Sequence, residues 1–498
     1  MNAARDRHDD RRWWVLGVVG LAQLMVVVDA TVVNVALPDA QQALHFSTEL
    51  RQWVITAYAL AFGSLLLLGG RIGDLFGRKW TFIGGALGFA VASAVGGAAQ
   101  SFAMLVAARA AQGVFGAMLA PSSLALLTTT FSDGPDRKRA FAVYSSIMAG
   151  GAAVGLLLGG ILTQLLSWRY SLFVNLAFAI PAAIAGLLLL VNQRPSERPM
   201  LDLPGTVTAC EGLFCLVYGF SNAETHSWAA TGTIAMLIAA ALLLCAFVTI
   251  ESRVRHPLLP LRIVAHCARA GSYTAIAILG VAMFGAFLFL TYFLQDTLRY
   301  TPIDTGLSFL PMSLAIALSA AMTNIKLLSW LGPRPLIAAG MLAGAAAMAW
   351  LAQLTITSTY ATGVLPPLIV FGLAMGMVMG SAVFTATYRV DPADAGVASA
   401  MVNTMQQIGG AVGTALLSTI FASAVTSYTH ARRSTSQPSG AAVVHGDTVA
   451  FWVSAAIFAS GPILLTAILP SIKATAAAET GARARPKIAL NSPRELKR

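Results

Sequence analysis

Long apolar runs separated by short polar turns occupy most of this chain. Fourteen of them are long enough to cross about 30 Å of hydrocarbon as helices. Within lipid a backbone must satisfy its own hydrogen bonds, and these runs do not resemble the strands of a closed barrel. The pattern therefore predicts an all-α polytopic membrane protein. The runs lie at residues 13–36, 51–69, 80–99, 103–128, 139–166, 170–191, 203–221, 229–250, 270–295, 304–328, 335–354, 362–386, 396–425 and 449–470.

Composition agrees with this class and excludes several others. Hydrophobic residues make up 57% of the chain and charged residues 11%, whereas soluble domains carry about 25% charged residues. The four cysteines have no metal-type spacing with histidine, so we expect neither a metal site nor a disulfide framework. There is no Gly-x-x-x-x-Gly-Lys-Ser/Thr loop for a nucleotide and no constellation of catalytic groups. We therefore expect neither an enzyme nor a resident cofactor.

Basic residues fall on alternate turns between the runs. With fourteen helices, 26 of the 32 lysines and arginines lie on the side of the termini, five lie on the opposite side, and Arg109 lies inside a helix. Positive residues favour the cytoplasmic side, so both termini are predicted to be cytoplasmic. The net charge of +11 is thereby attributed to membrane topology rather than to binding of nucleic acid.

Short glycine patterns recur at a nearly constant offset. Gly77-Arg-Lys has a counterpart in Gly332-Pro-Arg, 255 residues on, and Ala153-Val-Gly recurs as Ala411-Val-Gly, 258 residues on. The offset predicts a two-half transporter, whose substrate site would lie near the bilayer midplane between the halves.

The predicted domains follow from this repeat. Two six-helix bundles cover residues 13–191 and 270–470, and two inserted helices cover 203–250. Residues 1–12 are interpreted as a cytoplasmic tail. Residues 473–498, rich in Ala, Pro and Arg, are interpreted as a disordered cytoplasmic tail.

A glycine-rich basic turn, Gly70-Arg-Ile-Gly-Asp-Leu-Phe-Gly-Arg-Lys79, joins the second and third runs. Glycines permit a tight turn and close backbone approach, and Asp74 is placed to cap backbone amides or to hold a neighbouring arginine. One interpretation is a plain turn that sets topology. The other is a hinge that latches two helix bundles, with a conformational switch formed by Gly70, Arg71, Asp74, Gly77, Arg78 and Lys79.

Charged residues inside membrane helices are costly and by default functional. Asp29 lies within the first run and Arg109 within the fourth, with Gln112 one turn on from Arg109 on the same face. A carboxyl in a half-wet cavity could carry a proton or meet a cationic substrate. The alternative is a structural carboxylate paired to a neighbouring helix. Because arginine stays charged, Arg109 would set the field around an acid, or else bind backbone carbonyls for packing.

Glycines at a spacing of four define one face of the fifth run. Gly151, Gly155 and Gly159, followed by Gly160, predict close packing against another helix. Both generic packing and a role in gating remain open for this face.

Gln112 and three further residues are candidates for a substrate or acid site. Glu211 lies about two turns into the seventh run; it is either a second acid for a cationic substrate or a side chain that reaches a polar crevice. Tyr292 and Gln295, at the end of the ninth run, are candidates to line a cavity.

Several of these stretches resemble motifs of the major facilitator superfamily. The Gly70–Lys79 turn looks like its signature loop. The run Val28-Asp-Ala-Thr-Val-Val-Asn-Val-Ala-Leu-Pro38 resembles the first-helix signature of the fourteen-helix drug:proton antiporters, with Val28 where that family usually has leucine. The Arg109 stretch and the glycines of the fifth run resemble two more motifs, although Leu156 stands where the antiport motif has proline.

The resemblance implies a proton-coupled exporter of amphipathic drugs or antibiotics, working by alternating access in a bacterial plasma membrane. Asp29 and Arg109 would couple transport to the proton gradient. The partners would be a small amphipathic substrate, protons and lipid, and the protein would be a monomer. Two alternatives remain: a proton symporter or uniporter for a nutrient or siderophore on the same fold, and a sensor or scaffold that transports nothing.

Overall fold

Fourteen membrane-length helices make up most of the described molecule. The computed structural model describes residues 2–46, 48–132, 134–191, 202–225, 227–255, 257–431 and 440–468. Those residues contain no strand, and the predicted all-α fold with fourteen spans is confirmed when the bent α5 is counted as one span. The spans are α1 (Asn2–Leu44), α2 (Thr48–Phe76), α3 (Arg78–Gly97), α4 (Phe102–Thr130), α5 (Gly134–Leu165), α6 (Tyr170–Leu189), α7 (Leu203–Thr225), α8 (Thr231–Glu251), α9 (Cys267–Thr297), α10 (Ile303–Leu331), α11 (Pro333–Leu351), α12 (Tyr360–Ala386), α13 (Ala395–Ala431) and α14 (Gly440–Ile468).

Some spans depart from a straight α-helix. α5 bends by 41° between Met148 and Gly150. α9 ends in the π-helical turn Phe293–Thr297, α10 contains Thr323–Leu327, and α12 begins with Tyr360–Val364. Such π-turns are frequent at functional sites.

Several helices extend beyond the apolar runs that predicted them. α1 begins at Asn2, so the charged segment expected to be a tail continues the first helix. α14 begins at Gly440 rather than at residue 449. Polar residues lower the local hydropathy without breaking a helix, so the apolar runs are shorter than the helices. The predicted tail at 473–498 lies outside the described residues.

Corresponding helices make matching contacts in the two halves. Gly155 of α5 lies against the backbone of Val28 in α1, and Gly413 of α13 lies against the backbone of Val281 in α9. The turns before α3 and α11 both place a glycine at positive φ, the region that glycine adopts without strain. Positions related by the offset in the sequence therefore make similar contacts.

Several helix pairs join the halves, including α5 with α10, α2 with α13 and α5 with α12. α5 lies along α10, where Ser313 Oγ donates to the Gly150 carbonyl oxygen at 3.4 Å. α2 crosses α13 closely enough that a Cβ added to Gly70 would lie 2.7 Å from the Gly396 carbonyl oxygen. The inserted α7–α8 pair packs through α7 onto α2 and α13. We call the end formed by the α2–α3, α4–α5 and α10–α11 turns the basic end.

Candidate functional site

A buried polar cluster centred on Asp29 joins α1 to α4 and α6. Asp29 is fully buried, and Arg109 Nη1 donates to its Oδ2 at 2.7 Å. Gln112 Nε2 donates to Asp29 Oδ1 at 3.0 Å, and Asn175 Nδ2 donates to the same oxygen at 2.6 Å. These three donors stabilise the carboxylate. Without them, burial would make its negative charge untenable.

Arg109 is held by groups outside the ion pair as well. Its Nη1 also donates to Gln112 Oε1 at 2.7 Å, and its Nε donates to the Val54 carbonyl oxygen of α2 at 3.3 Å. Its guanidinium carbon lies 4.4 Å from the centroid of the Tyr58 ring. The planar guanidinium suits this arrangement, because its donors point in fixed directions at several acceptors.

Sequence reasoning missed three members of this cluster: Ser93, Asn175 and Tyr58. Ser93 Oγ of α3 accepts from Gln112 Nε2 at 2.7 Å and from Asn175 Nδ2 at 3.3 Å. Each missed residue is a lone polar side chain in an apolar run, a pattern that packing alone also produces. The available signal was indirect: a buried carboxylate accepts several hydrogen bonds and needs donors from neighbouring helices.

The cluster lies inside the first half of the molecule rather than between the halves. Asp29 is 0% exposed and Arg109 is 2% exposed, so the half-wet cavity expected around Asp29 is wrong for this conformation. Away from the basic end, a cavity of about 10 Å³ is lined mainly by apolar side chains, including Val33, Leu105 and Leu172. It is barely large enough for one water.

The glycines of α5 support α1 at the level of the cluster. Gly151, Gly155 and Gly159 face α1, and a Cβ added at any of them would come within about 3.0 Å of an α1 atom. The contacted α1 positions lie on both sides of Asp29. Gly160 faces Ile303 of α10 instead. The α5 surface thus contacts both the helix that carries the acid and the opposite half.

The Gly70–Lys79 turn contacts the second half at the basic end. Arg78 Nη2 donates to Asp74 Oδ1 at 2.9 Å. The backbone N–H of Gly396, at the start of α13, donates to the same oxygen at 3.2 Å. Asp74 therefore holds its neighbouring arginine and also binds a backbone amide, but that amide belongs to the other half of the molecule.

The other charged residues of this turn reach the flanking helices. Lys79 Nζ donates to the Leu187 carbonyl oxygen near the end of α6 at 2.7 Å. Arg71 is 5% exposed and interacts electrostatically with Asp74 and with Glu251 at the end of α8. Gly77 supplies the positive φ of 97° that the turn requires. The turn is thus linked to the first half, the inserted pair and the second half.

A second inter-half contact at the basic end involves Arg137, which the sequence analysis treated only as a topological charge. Its side chain is 2% exposed. It donates to the Phe131 carbonyl oxygen at 2.9 Å and to Thr387 Oγ1 at the end of α12 at 3.2 Å. The guanidinium carbon lies 4.3 Å from the Phe141 ring centroid and 5.0 Å from that of Phe384, within cation–π range.

The remaining predicted site residues lie outside the Asp29 cluster. Glu211 is exposed on α7. Tyr292, 39% exposed, contacts the Phe421 ring of α13. Gln295 is half-buried in the π-turn at the end of α9. The structure thus brings together Asp29, Arg109 and Gln112. It places Glu211, Tyr292 and Gln295 elsewhere.

The family model of the Major Facilitator Superfamily matches residues 19–414. Over 486 residues the chain is 46% identical to puromycin resistance protein pur8 of Streptomyces alboniger, covering 96% of this chain and 95% of that protein. It is 37% identical over 458 residues to cephamycin export protein CmcT of Amycolatopsis lactamdurans, covering 91% of each. It is 34% identical over 418 residues to the tetracenomycin C resistance and export protein of Streptomyces glaucescens, covering 83% of this chain and 77% of that protein.

Solved structures share the arrangement of helices. The human organic anion transporter MFSD10 (TETRAN) superposes with a TM-score of 0.61 at 15% identity, covering 91% of this chain and 99% of that one. The proton:xylose symporter XylE superposes with a TM-score of 0.63 at 13% identity, covering 93% and 97%. At these identities the likeness establishes the fold alone.

Proposed function

Because this chain belongs to the Major Facilitator Superfamily and is therefore a membrane transporter, we propose that it exports amphipathic drugs or antibiotics in exchange for protons. All three relatives are named for resistance or export, which supports efflux as the direction of transport. The basic end would face the cytoplasm of a bacterial cell, as the distribution of lysine and arginine suggests. The observation that carries proton coupling is the buried Asp29–Arg109 pair with its three carboxylate donors.

Protonation of Asp29 would be the first step of coupling. A proton on this carboxylate cancels the charge that attracts the Arg109 guanidinium and turns an acceptor into a neutral acid. Arg109 then keeps its neutral partners, the Gln112 side chain and the Val54 carbonyl. The attraction between α1 and α4 is thereby weakened, so α1 can move relative to α4.

The shift of α1 would reach the other half through α5. α1 rests on the glycines of α5, and α5 lies along α10. Asp74 with Gly396, and Arg137 with Thr387, keep the basic end closed in this conformation. In the outward-facing state Asp29 takes a proton and substrate leaves, and in the inward-facing state the proton leaves and substrate binds. Linked binding of the two ligands then drives export.

Transport by the purified protein in liposomes tests this function. A pH gradient is imposed, an internal dye reports pH, and a panel of lipophilic cations and antibiotics is added to wild type, Asp29→Asn and Asp39→Asn. Asp39 is exposed on the same helix and serves as the matched control. We expect substrate and protons to move in opposite directions in wild type and Asp39→Asn, and proton movement to be lost in Asp29→Asn.

Two outcomes would contradict the proposal. Full proton-driven efflux by Asp29→Asn would remove this residue from coupling. Movement of substrate and protons in the same direction would replace export with symport. Symport is the second candidate because Leu156 stands in place of the proline of the antiport motif.

A further inference from the structure

A fully buried carboxyl other than Asp29 lies in α14, towards the end opposite the basic end. Asp447 is fully buried, and neither of its oxygens has a hydrogen-bond partner among the described residues. It therefore differs from Asp29, whose carboxylate receives donors from Arg109, Gln112 and Asn175. An ionised carboxylate here would lose its hydration and gain no donor in return, whereas a neutral acid has far less to lose.

Aromatic side chains pack around this part of α14. Phe451, one turn on from Asp447, contacts the Phe289 ring of α9 with a centroid distance of 6.5 Å. Gly446, beside Asp447, lies against the Phe421 ring of α13: a Cβ there would lie 2.8 Å from a ring carbon. Rings of this kind cannot donate a conventional hydrogen bond to a carboxylate. These surroundings favour the neutral form.

The helices packed on α14 bring no cation close to Asp447 within the described residues. Asp296, exposed in the π-turn at the end of α9, acts on it electrostatically with the same sign of charge. His445, exposed on α14, contacts the Tyr428 ring of α13 with a centroid distance of 4.9 Å. The other ionisable groups described on α9, α11 and α13 are Tyr273, Tyr292 and His430, with Cys267, Arg269 and Arg334 at the basic end.

We propose that Asp447 is a second proton-carrying residue, neutral in this conformation, which exchanges its proton with external water past Asp296. The step is a proton transfer alone: external water delivers a proton by way of the exposed Asp296 carboxylate, an Asp447 oxygen takes it up, and no other bond changes. In the same conformation the acid of the first half accepts from three donors, and the acid of the second half is neutral and accepts from none of the described residues. The role of Asp447 in transport rests on the proposed proton coupling, but its protonation does not.

Infrared spectroscopy of the full-length protein in lipid bilayers at neutral pH tests the protonation. A protonated carboxyl absorbs through its C=O stretch, apart from ionised carboxylates. We expect the difference between wild type and Asp447→Asn to contain a protonated-carboxyl band, and the difference between wild type and Asp39→Asn to lack one. Loss of ionised-carboxylate bands in Asp447→Asn would overturn the proposal. If Asp447→Asn fails to fold, a shifted C=O band in Asp447→Glu supports the proposal, and an unchanged C=O region overturns it.

Transfer of the same samples to D₂O tests the route. Exchange of the proton shifts the C=O band of Asp447, and the rate of that shift reports access to water. Asp296→Asn, which keeps a polar side chain but cannot carry a proton, is expected to slow the exchange several-fold. An unchanged rate would remove Asp296 from the route. Neither measurement uses a substrate, so their failure is distinguishable from failure of the export assay.

Discussion

At the scale of single residues, Asp29 and Arg109 stabilise each other in surroundings that neither charge would tolerate alone. Removing one member of a buried ion pair typically costs about 3–5 kcal/mol, because it leaves the other charge buried without compensation. Replacing both members by neutral groups of similar size is often much less costly. This asymmetry distinguishes a true pair from two independently tolerated residues.

Arg109→Met is therefore expected to destabilise the protein by about 3–5 kcal/mol, and addition of Asp29→Asn is expected to restore much of that loss. The melting temperature of the purified protein, followed by tryptophan fluorescence, measures both effects. Arg139→Met, at an exposed position of α5, should leave the melting temperature nearly unchanged. A double variant as unstable as Arg109→Met alone would contradict the description of these residues as a pair.

At the scale of helices, α5 has two surfaces with different roles. One presents glycines to α1 beside Asp29, and the other lies along α10 of the opposite half. The 41° bend between Met148 and Gly150 arises without a proline at the bend. Two glycines in sequence, Gly150 and Gly151, lie at the bend, and glycine pairs are an established site of helix kinks.

Gly155→Ala is expected to destabilise the protein by about 1–3 kcal/mol, as overpacking usually does, and to impair transport. The added Cβ would lie 2.9 Å from the Val28 carbonyl oxygen and closer still to Thr31 Oγ1. Melting temperature and efflux by liposomes measure the two effects. Gly84→Ala is the control, since nothing lies within 4 Å of a Cβ there. Equal behaviour of the two variants would show that α1 and α5 are not closely packed.

At the scale of the whole molecule, contacts at the basic end hold the halves together. Asp74 accepts the Gly396 N–H across α2 and α13, and Arg137 donates to Thr387 across α5 and α12. Hydrogen bonds to charged groups contribute about 1.5–3 kcal/mol each. These few contacts therefore bias the equilibrium between a closed and an open basic end without making it irreversible.

Asp74→Ala is expected to favour opening of the basic end. Ser122 of α4 is 1% exposed, and a Cβ on Gly73 would lie 3.2 Å from its Oγ. In a background without the four native cysteines, a thiol reagent should label Ser122→Cys roughly tenfold faster once Asp74→Ala removes the contact. When Asp39→Ala replaces Asp74→Ala, the rate at which Ser122→Cys is labelled should equal the rate in the protein with Ser122→Cys alone. An unchanged rate in Asp74→Ala would show that this contact does not hold the end closed.

The sequence predicted features that depend on local composition and missed those that depend on distant partners. Apolar runs identify the spans, and Asp29 and Arg109 stand out because charge is rare within them. Asn175 carries no charge and gave no such signal. Arg137 lies in a basic turn, and its partner on α12 is 250 residues away. Asp447 precedes the predicted start of the last run at residue 449, because polar neighbours lower the hydropathy of a turn that is nonetheless helical.

The matching glycine contacts also show what the two halves do not share. Aligning α1 with α9 through those contacts places Ala282 at the position of Asp29. At both contacts a side chain would collide with the facing backbone, so both α5 and α13 carry glycine there. A buried acid needs donors from neighbouring helices, which α4 and α6 supply to Asp29. The close contact thus occurs in both helix pairs, whereas the buried acid beside it occurs in only one of them.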